Sequence, residues 1–72
     1  MSNYNIGGTD DWGFDLIKRE GQVEMWHNPK SGSYLVYLYE HVQQDEGFVL
    51  HATKYTRESA DWVFDTIISM LG

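Results

Sequence analysis

Apolar and polar side chains alternate in several short segments of the chain, and this period of two is typical of β-strands. Residues 14–19 and 22–27 carry this alternation, and residues 34–42 and 48–56 are two further strand-like segments with apolar side chains on both faces. The connections between them are too short for a crossover, so successive strands must pair antiparallel. The pattern therefore predicts a four-stranded antiparallel meander.

The first two strands are expected to form a hairpin around Glu20 and Gly21, because glycine accepts the positive φ that tight turns need. Pairing Arg19 with Gln22 would then put Leu16 opposite Met25. In that register one face carries Phe14, Leu16, Val23 and Met25, and the other carries Ile17 and Trp26.

The third strand is expected to pair His27 with Tyr34, which places Val36 and Leu38 beside Met25 and Val23. The acidic residues 43–47 are expected to form the turn that follows. The fourth strand has apolar residues at both parities, and we expect Phe48, Leu50 and Ala52 on the Val36 side.

The C-terminal segment has the period of an amphipathic helix. Its apolar stripe consists of Ala60, Val63, Phe64, Ile67, Ile68 and Leu71. Thr56 is the expected N-cap and Gly72 the expected stop. The fold class is thus α+β, ββββα, with residues 1–12 as a flexible N-terminal arm and residues 13–72 as a single domain.

The helix can cover only one face of the sheet, and the other face is also rich in apolar side chains. It is expected to hold Ile17, Trp26, Leu35, Tyr37, Tyr39 and Val49, with His41 and His51 nearby. A patch of this kind is larger than monomers usually expose, and Tyr and Trp are enriched in binding hot spots. We therefore predict that Trp26, Leu35, Tyr37 and Tyr39 bind a partner. A second copy, the arm or a different molecule could cover the patch.

A second candidate surface lies on the polar side of the helix. Trp62 falls there on a helical wheel, together with acidic residues that include Asp61 and Asp65. An exposed indole among carboxylates suits a cationic surface, so these three residues are also predicted to bind a partner. Two alternatives are that the arm folds over Trp62 and that the acidic stripe is simply solvated.

Charge and composition narrow the class of protein. The 72 residues include 11 acidic and 5 basic side chains, and the net charge is −6. Such a charge disfavours direct binding to nucleic acid or anionic membranes. There is no cysteine, and no apolar run approaches the roughly 20 residues that span a bilayer. We expect a cytoplasmic protein.

No residue pattern indicates catalysis or a cofactor. His27, His41 and His51 lack the spacing of a metal site, and no serine lies in a strained nucleophile turn. The carboxylate pairs Asp10/Asp11 and Asp45/Glu46 lie in segments expected to be solvated. We therefore expect no enzyme activity, no metal and no cofactor.

The leading hypothesis is a non-enzymatic protein-binding inhibitor that blocks a basic, nucleic-acid-handling partner by steric occlusion. In size, acidity and layout the chain is similar to the small inhibitors that phages encode against host defence systems, anti-CRISPR proteins included. The alternatives are a homodimeric accessory protein and a small-ligand-binding protein, each using the aromatic face of the sheet.

Overall fold

The computed structural model describes residues 4–42 and 45–71 and has the predicted ββββα architecture. The elements are β1 (Asp15–Glu20), β2 (Val23–Asn28), β3 (Ser33–Val42), β4 (Asp45–Lys54) and α1 (Arg57–Leu71). The strands form one antiparallel sheet in the order β1-β2-β3-β4, and the helix packs against it. The sequence-based fold prediction is confirmed.

The first hairpin has a different register from the one expected. Its loop is Gly21 and Gln22, because Glu20 already pairs with Val23 and Gly21 takes the positive φ of 57°. Farther along, Leu16 pairs with Trp26 but Lys18 pairs with Met25, so β1 contains one extra residue, Ile17. The expected pairing of Arg19 with Gln22 is wrong, because Arg19 pairs with Glu24.

The bulge changes the faces of Ile17 and of the residues that precede it. Leu16 and Phe14 lie with Trp26 on the face away from the helix, whereas Ile17 packs against the helix-side core. Both assignments are the reverse of the sequence-based prediction. A single extra residue in a strand is enough to exchange the two faces, because the side-chain period is two.

The β2–β3 register is as predicted, with Val23 opposite Leu38 and Met25 opposite Val36. A second bulge lies in β4, where Ala52 pairs with Val36 but Leu50 pairs with Tyr37. Ala52 is therefore on the helix face as expected.

The same bulge reverses the expected faces of three other β4 residues. Leu50 shares the opposite face with Tyr37, and Phe48 pairs with Tyr39 on that face. Val49 pairs with Leu38 and so belongs to the helix face. The expected turn at residues 43–47 falls partly outside the described residues, and from Asp45 onward the chain is already strand β4.

The helix begins as predicted. Thr56 Oγ1 accepts the backbone N–H of Ser59 at 3.2 Å, which satisfies one of the free donors of the first turn. Ala60 and Phe64 of the helix are buried. The helix-side core consists of Val23, Met25, Val36, Ala60 and Phe64, and Val63, Ile67 and Ile68 pack against it. Leu71, expected to extend the stripe, is exposed, and Gly72 lies outside the described residues.

Of the helices in the described part of the chain, none is long and apolar enough to cross a membrane.

Residues 1–12 are expected to form a flexible arm, and within their described part, residues 4–12, the backbone is hydrogen-bonded to the sheet. The Gly7 N–H donates to the Leu16 carbonyl at 2.8 Å, and the Leu16 N–H donates to the Gly8 carbonyl at 2.9 Å. Thr9 forms a β-bridge with Asp15. The segment therefore runs along the outer edge of β1.

Candidate functional site

The sheet face opposite the helix contains an open groove with a volume of about 770 Å³. Its lining consists of Tyr4, Asp10, Trp12, Phe14, Glu24, Trp26, Asn28, Lys30, Tyr37, Tyr39 and Phe48. Most of these are aromatic, and we call this concave surface the aromatic groove. Both the sheet and the N-terminal segment contribute to it.

The floor of the aromatic groove is a small second core. Leu16, Trp26 and Leu35 form it, and Phe14 and Tyr37 pack against it. Trp26 is 6% exposed and Leu35 is 8% exposed. These two residues are predicted to contact a partner, but their side chains are already covered within the chain and offer little free surface for such a contact.

A buried carboxylate holds this floor together. Glu24 is buried, and its two oxygens accept hydrogen bonds from Arg19 Nε at 2.7 Å and from Trp26 Nε1 at 3.0 Å. A buried charge is tolerated when it is paired and its lone pairs are used, and both conditions hold here. Glu24 therefore fixes the orientation of the Trp26 indole.

The same network attaches the N-terminal segment to the sheet. The Arg19 guanidinium donates to the carbonyl oxygen of Tyr4, and the Tyr4 ring packs edge-on against Trp26 with centroids 5.6 Å apart. The edge-to-face arrangement is the favourable one for aromatic pairs. The N-terminal segment thus covers the β1–β2 half of the face, which the sequence alone left without an assigned cover.

The β3–β4 half of the groove stays open. Tyr39 packs edge-on against Phe48 with centroids 5.3 Å apart, and both rings, like Tyr37, are only partly buried. Beside them Trp12 is 81% exposed at the groove lining. Four aromatic side chains therefore present accessible surface to a ligand.

Asp10 fixes the turn that carries Trp12. Its Oδ1 accepts the backbone N–H groups of Trp12 and Phe14, each at 2.9 Å, and its own N–H donates to the Phe14 carbonyl. An aspartate that bonds to the backbone two residues ahead stabilises a tight turn. The backbone of the turn that presents the Trp12 indole is therefore held in place by hydrogen bonds within the chain.

Polar groups also line the groove. Burial, and secondarily the negative charge of Asp10, raise the pKa of the Tyr37 hydroxyl, which therefore remains a hydrogen-bond donor at neutral pH. Lys30 and Asn28 also line the groove. The aromatic surface is thus combined with two carboxylates, Asp10 and the buried Glu24, with one ammonium and with neutral hydrogen-bonding groups.

The helix residues that were predicted to bind a partner lie elsewhere. Asp61 forms ion pairs with Lys18 at 2.8 Å and with Arg57 at 3.1 Å. The hydrogen bond from Lys18, with a further contribution from Arg57, lowers the pKa of Asp61. The charge of Asp61 is therefore already paired within the chain.

Trp62 and Asp65 are exposed, as the helical wheel indicates, and Trp62 is 70% exposed. Trp62 borders a second, shallower hollow of about 430 Å³ together with Lys54, Glu58 and Ser59. The helix packs on the face of the sheet that is opposite the aromatic groove. The sheet therefore lies between the groove and this hollow on the helix side. The predicted site thus divides between two surfaces on opposite sides of the molecule.

Eight of the residues that line the groove are absent from the predicted site, among them Asp10, Trp12 and Phe48. The presence of Tyr4 and Trp12 in a segment rich in Gly, Asn and Asp was a usable signal, because large aromatic side chains in an aperiodic segment tend to pack against the fold. Phe48 could not be placed from sequence, since the bulge in β4 reverses its face.

The two histidines whose side chains the structure describes, His27 and His51, are not part of a group of metal ligands. The His27 ring packs against Tyr34 with centroids 4.6 Å apart, and His51 is exposed. The side chain of His41 lies outside the described part, and among the described residues no three His, Asp or Glu side chains are grouped as metal ligands.

A search with protein-family models, with curated proteins and with solved structures finds no match to this chain.

Proposed function

We propose that this chain is a small, acidic, non-enzymatic protein that binds a protein partner through the aromatic groove and inhibits it by steric occlusion in the cytoplasm. One observation carries the proposal: Trp12 is 81% exposed beside the partly exposed rings of Tyr37, Tyr39 and Phe48. The narrower hypothesis of a phage anti-defence inhibitor rests on size and acidity, and the identity of the partner tests it.

The physical chemistry of these side chains supports a binding role. Aromatic rings supply a large apolar area with few rotatable bonds, so ordering them at an interface costs little entropy. The floor under them is already fixed by the buried Glu24 and its hydrogen bonds to Arg19 and Trp26. A preformed surface of this kind favours tight association, because less ordering has to accompany binding.

The charge of the chain supports a basic partner. The net charge is −6, and Asp10 lies in the groove beside the aromatic rings. An Arg or Lys side chain gains both from the ring faces and from the carboxylate. Lys30 also lines the groove, and its ammonium would repel a cationic residue of the partner. We therefore expect that residue near Asp10.

Site-specific photocrosslinking tests the proposal with a matched pair of positions. Replacing Trp12 or Trp62 with p-benzoylphenylalanine puts the same reactive group at two exposed tryptophan sites, one in the groove and one on the helix. In a lysate of host cells, we expect one protein to crosslink from the Trp12 position far in excess of its share of the lysate and to be absent from the Trp62 position. A partner that crosslinks only from the Trp62 position would contradict the proposal.

A second candidate function is the binding of a small aromatic or apolar ligand. The groove volume of about 770 Å³ lies within the range of small-molecule sites, roughly 300–1,000 Å³. A thermal-shift screen with aromatic compounds distinguishes the two functions. A compound that raises the melting temperature of the wild type, and not of Tyr39→Ala, would favour the ligand-binding function.

A further inference from the structure

The two outer edges of the sheet differ. On β1 the outer edge is occupied by the chain itself, through the hydrogen bonds of Gly7 and Gly8 with Leu16. At the other side β4 (Asp45–Lys54) is the last strand in the order, and no described segment pairs with its outer edge. A long unpaired edge is a template for pairing with another strand.

The middle of β4 exposes apolar side chains on both faces at once. Val49 is 43% exposed on the helix face, and its neighbour Leu50 is 47% exposed on the groove face. A ligand lying on either face would cover only one of the two. A strand placed alongside β4 would flank both, because its own side chains alternate between the same two faces.

Two of the usual protections of an edge strand, proline and fixed charge, are missing from the centre of β4. Residues 47–53 read GFVLHAT, with neither proline nor a residue of fixed charge. The extra residue of the bulge, His51, increases the local twist, but the residues from Asp45 to Leu50 keep regular pairing with β3. This edge therefore has the composition of an interface.

We propose that β4 pairs antiparallel with β4 of a second copy of this chain, so that one continuous sheet runs through both. The charges of the strand fit this partner: β4 begins with Asp45 and Glu46 and ends with Lys54. Antiparallel pairing about the centre places the acidic start of each strand next to the basic end of the other.

The pairing also relates the two grooves. Phe48 lies on β4 and lines the aromatic groove, so the groove of each copy borders the shared edge. In a two-fold pairing about an axis normal to the sheet, both grooves open on the same side. The dimer does not depend on the proposed function, since the groove of each copy remains accessible.

Sedimentation velocity of the full chain, from low to high micromolar concentration, tests the pairing. We expect a dimer for the wild type and a dissociation constant at least about tenfold weaker for Val49→Lys, because a charge in the centre of the shared edge opposes pairing. Met70→Lys is the matched control, since Met70 is exposed at the end of the helix, and its dimer should be unchanged. Circular dichroism confirms that both variants fold.

A wild type that stays monomeric throughout would overturn the pairing. A dimer that survives Val49→Lys but is lost in Tyr39→Ala would also overturn it, in favour of contact between two aromatic faces. Hydrogen exchange gives a second readout without mutation: amides of β4 should gain protection as concentration rises. Protection of β4 only after the crosslinked partner is added would overturn the second copy in favour of a strand from that partner.

Discussion

The indole N–H of Trp26 donates a hydrogen bond of 3.0 Å to Glu24 Oε1, and both side chains are buried under the aromatic groove. The two residues are separated by one position on β2, so their side chains lie on the same face. The other oxygen of Glu24 accepts from Arg19, whose guanidinium also reaches the Tyr4 carbonyl. One carboxylate therefore links the floor of the groove to the N-terminal segment.

Replacing Glu24 should destabilise the fold markedly. Glu24→Ala removes the acceptor of the Trp26 indole N–H and the carboxylate partner of Arg19 Nε, and breaking such a buried pair costs about 3 kcal/mol. Glu24→Gln keeps one acceptor oxygen and should cost about half as much. Urea unfolding followed by circular dichroism measures both free energies of unfolding.

Glu58→Ala is the control for the Glu24 variants, since Glu58 is an exposed residue of the first helical turn. Its effect should stay within about 0.5 kcal/mol. If Glu24→Ala were as mild as Glu58→Ala, the hydrogen-bond network would not be what holds the groove floor.

The N-terminal segment should shield Trp26 from solvent. In a background with Trp12→Phe and Trp62→Phe, the remaining tryptophan, Trp26, is 6% exposed and should emit at short wavelength and resist quenching by acrylamide. Adding Tyr4→Ala removes the ring that packs on Trp26 at 5.6 Å, so quenching should increase at least about twofold.

Ile6→Ala in the same background is the matched control, because Ile6 belongs to the same segment but is itself exposed. It should leave the emission and the quenching of Trp26 unchanged. Equal quenching in the Tyr4→Ala and Ile6→Ala variants would show that the segment does not cover the sheet.

The strands, the helix and the β2–β3 register followed from the sequence because each rests on a local pattern. The face assignments of Ile17 and Phe48 did not, because each depends on a bulge, and the strands around these residues are apolar at both parities. Either assignment of these strands to the two faces buries apolar side chains, so the sequence alone does not show which one is the more stable. Only the tertiary packing against the helix decides between the two arrangements.

The candidate site was predicted in part for a related reason. Tyr37 and Tyr39 line the groove as a strand alternation suggests. Trp26 was expected at the surface, but a segment without periodicity covers it through the Tyr4 ring. Such a cover is formed by contacts distant in sequence, namely those of Tyr4 with Arg19 and Trp26, and no local pattern encodes them.

Asp61 should make stability depend on pH in the acid range. Its ion pairs with Lys18 and Arg57 hold its folded-state pKa below the ordinary value of 3.8. The stabilisation is therefore complete above about pH 4 and is lost as the pH falls through the folded-state pKa. The difference in unfolding free energy between the wild type and Asp61→Asn should be present at pH 7 and should shrink below pH 4.

Asp65→Asn serves as the control for the acid-range measurement, because Asp65 is an exposed carboxylate on the same helix. The difference between wild type and Asp65→Asn should vary less with pH than that for Asp61→Asn. A difference for Asp61→Asn that stays constant from pH 7 to pH 2 would contradict the stabilising role of its ion pairs.

The contact of the helix with the sheet should depend on Phe64. Its ring is buried in the helix-side core, and Lys18 Nζ lies 4.3 Å from the ring centroid. Phe64→Ala should cost about 3 to 4 kcal/mol through lost burial and a cavity. Met70→Ala, on an exposed part of the same helix, should change the unfolding free energy by less than about 0.5 kcal/mol.

The central claim is that the aromatic groove, and not the exposed side of the helix, is the surface that binds a partner. The most direct test is the calorimetric affinity of the crosslinked partner for Tyr39→Ala and for Trp62→Ala, two aromatic truncations on opposite sides of the sheet. Tyr39→Ala should weaken binding by about 1 kcal/mol or more, roughly fivefold, and Tyr37→Ala should do the same, while both variants remain folded. Trp62→Ala should change the affinity less than about twofold. Unchanged binding by Tyr37→Ala and Tyr39→Ala, with a large loss in Trp62→Ala, would contradict the account.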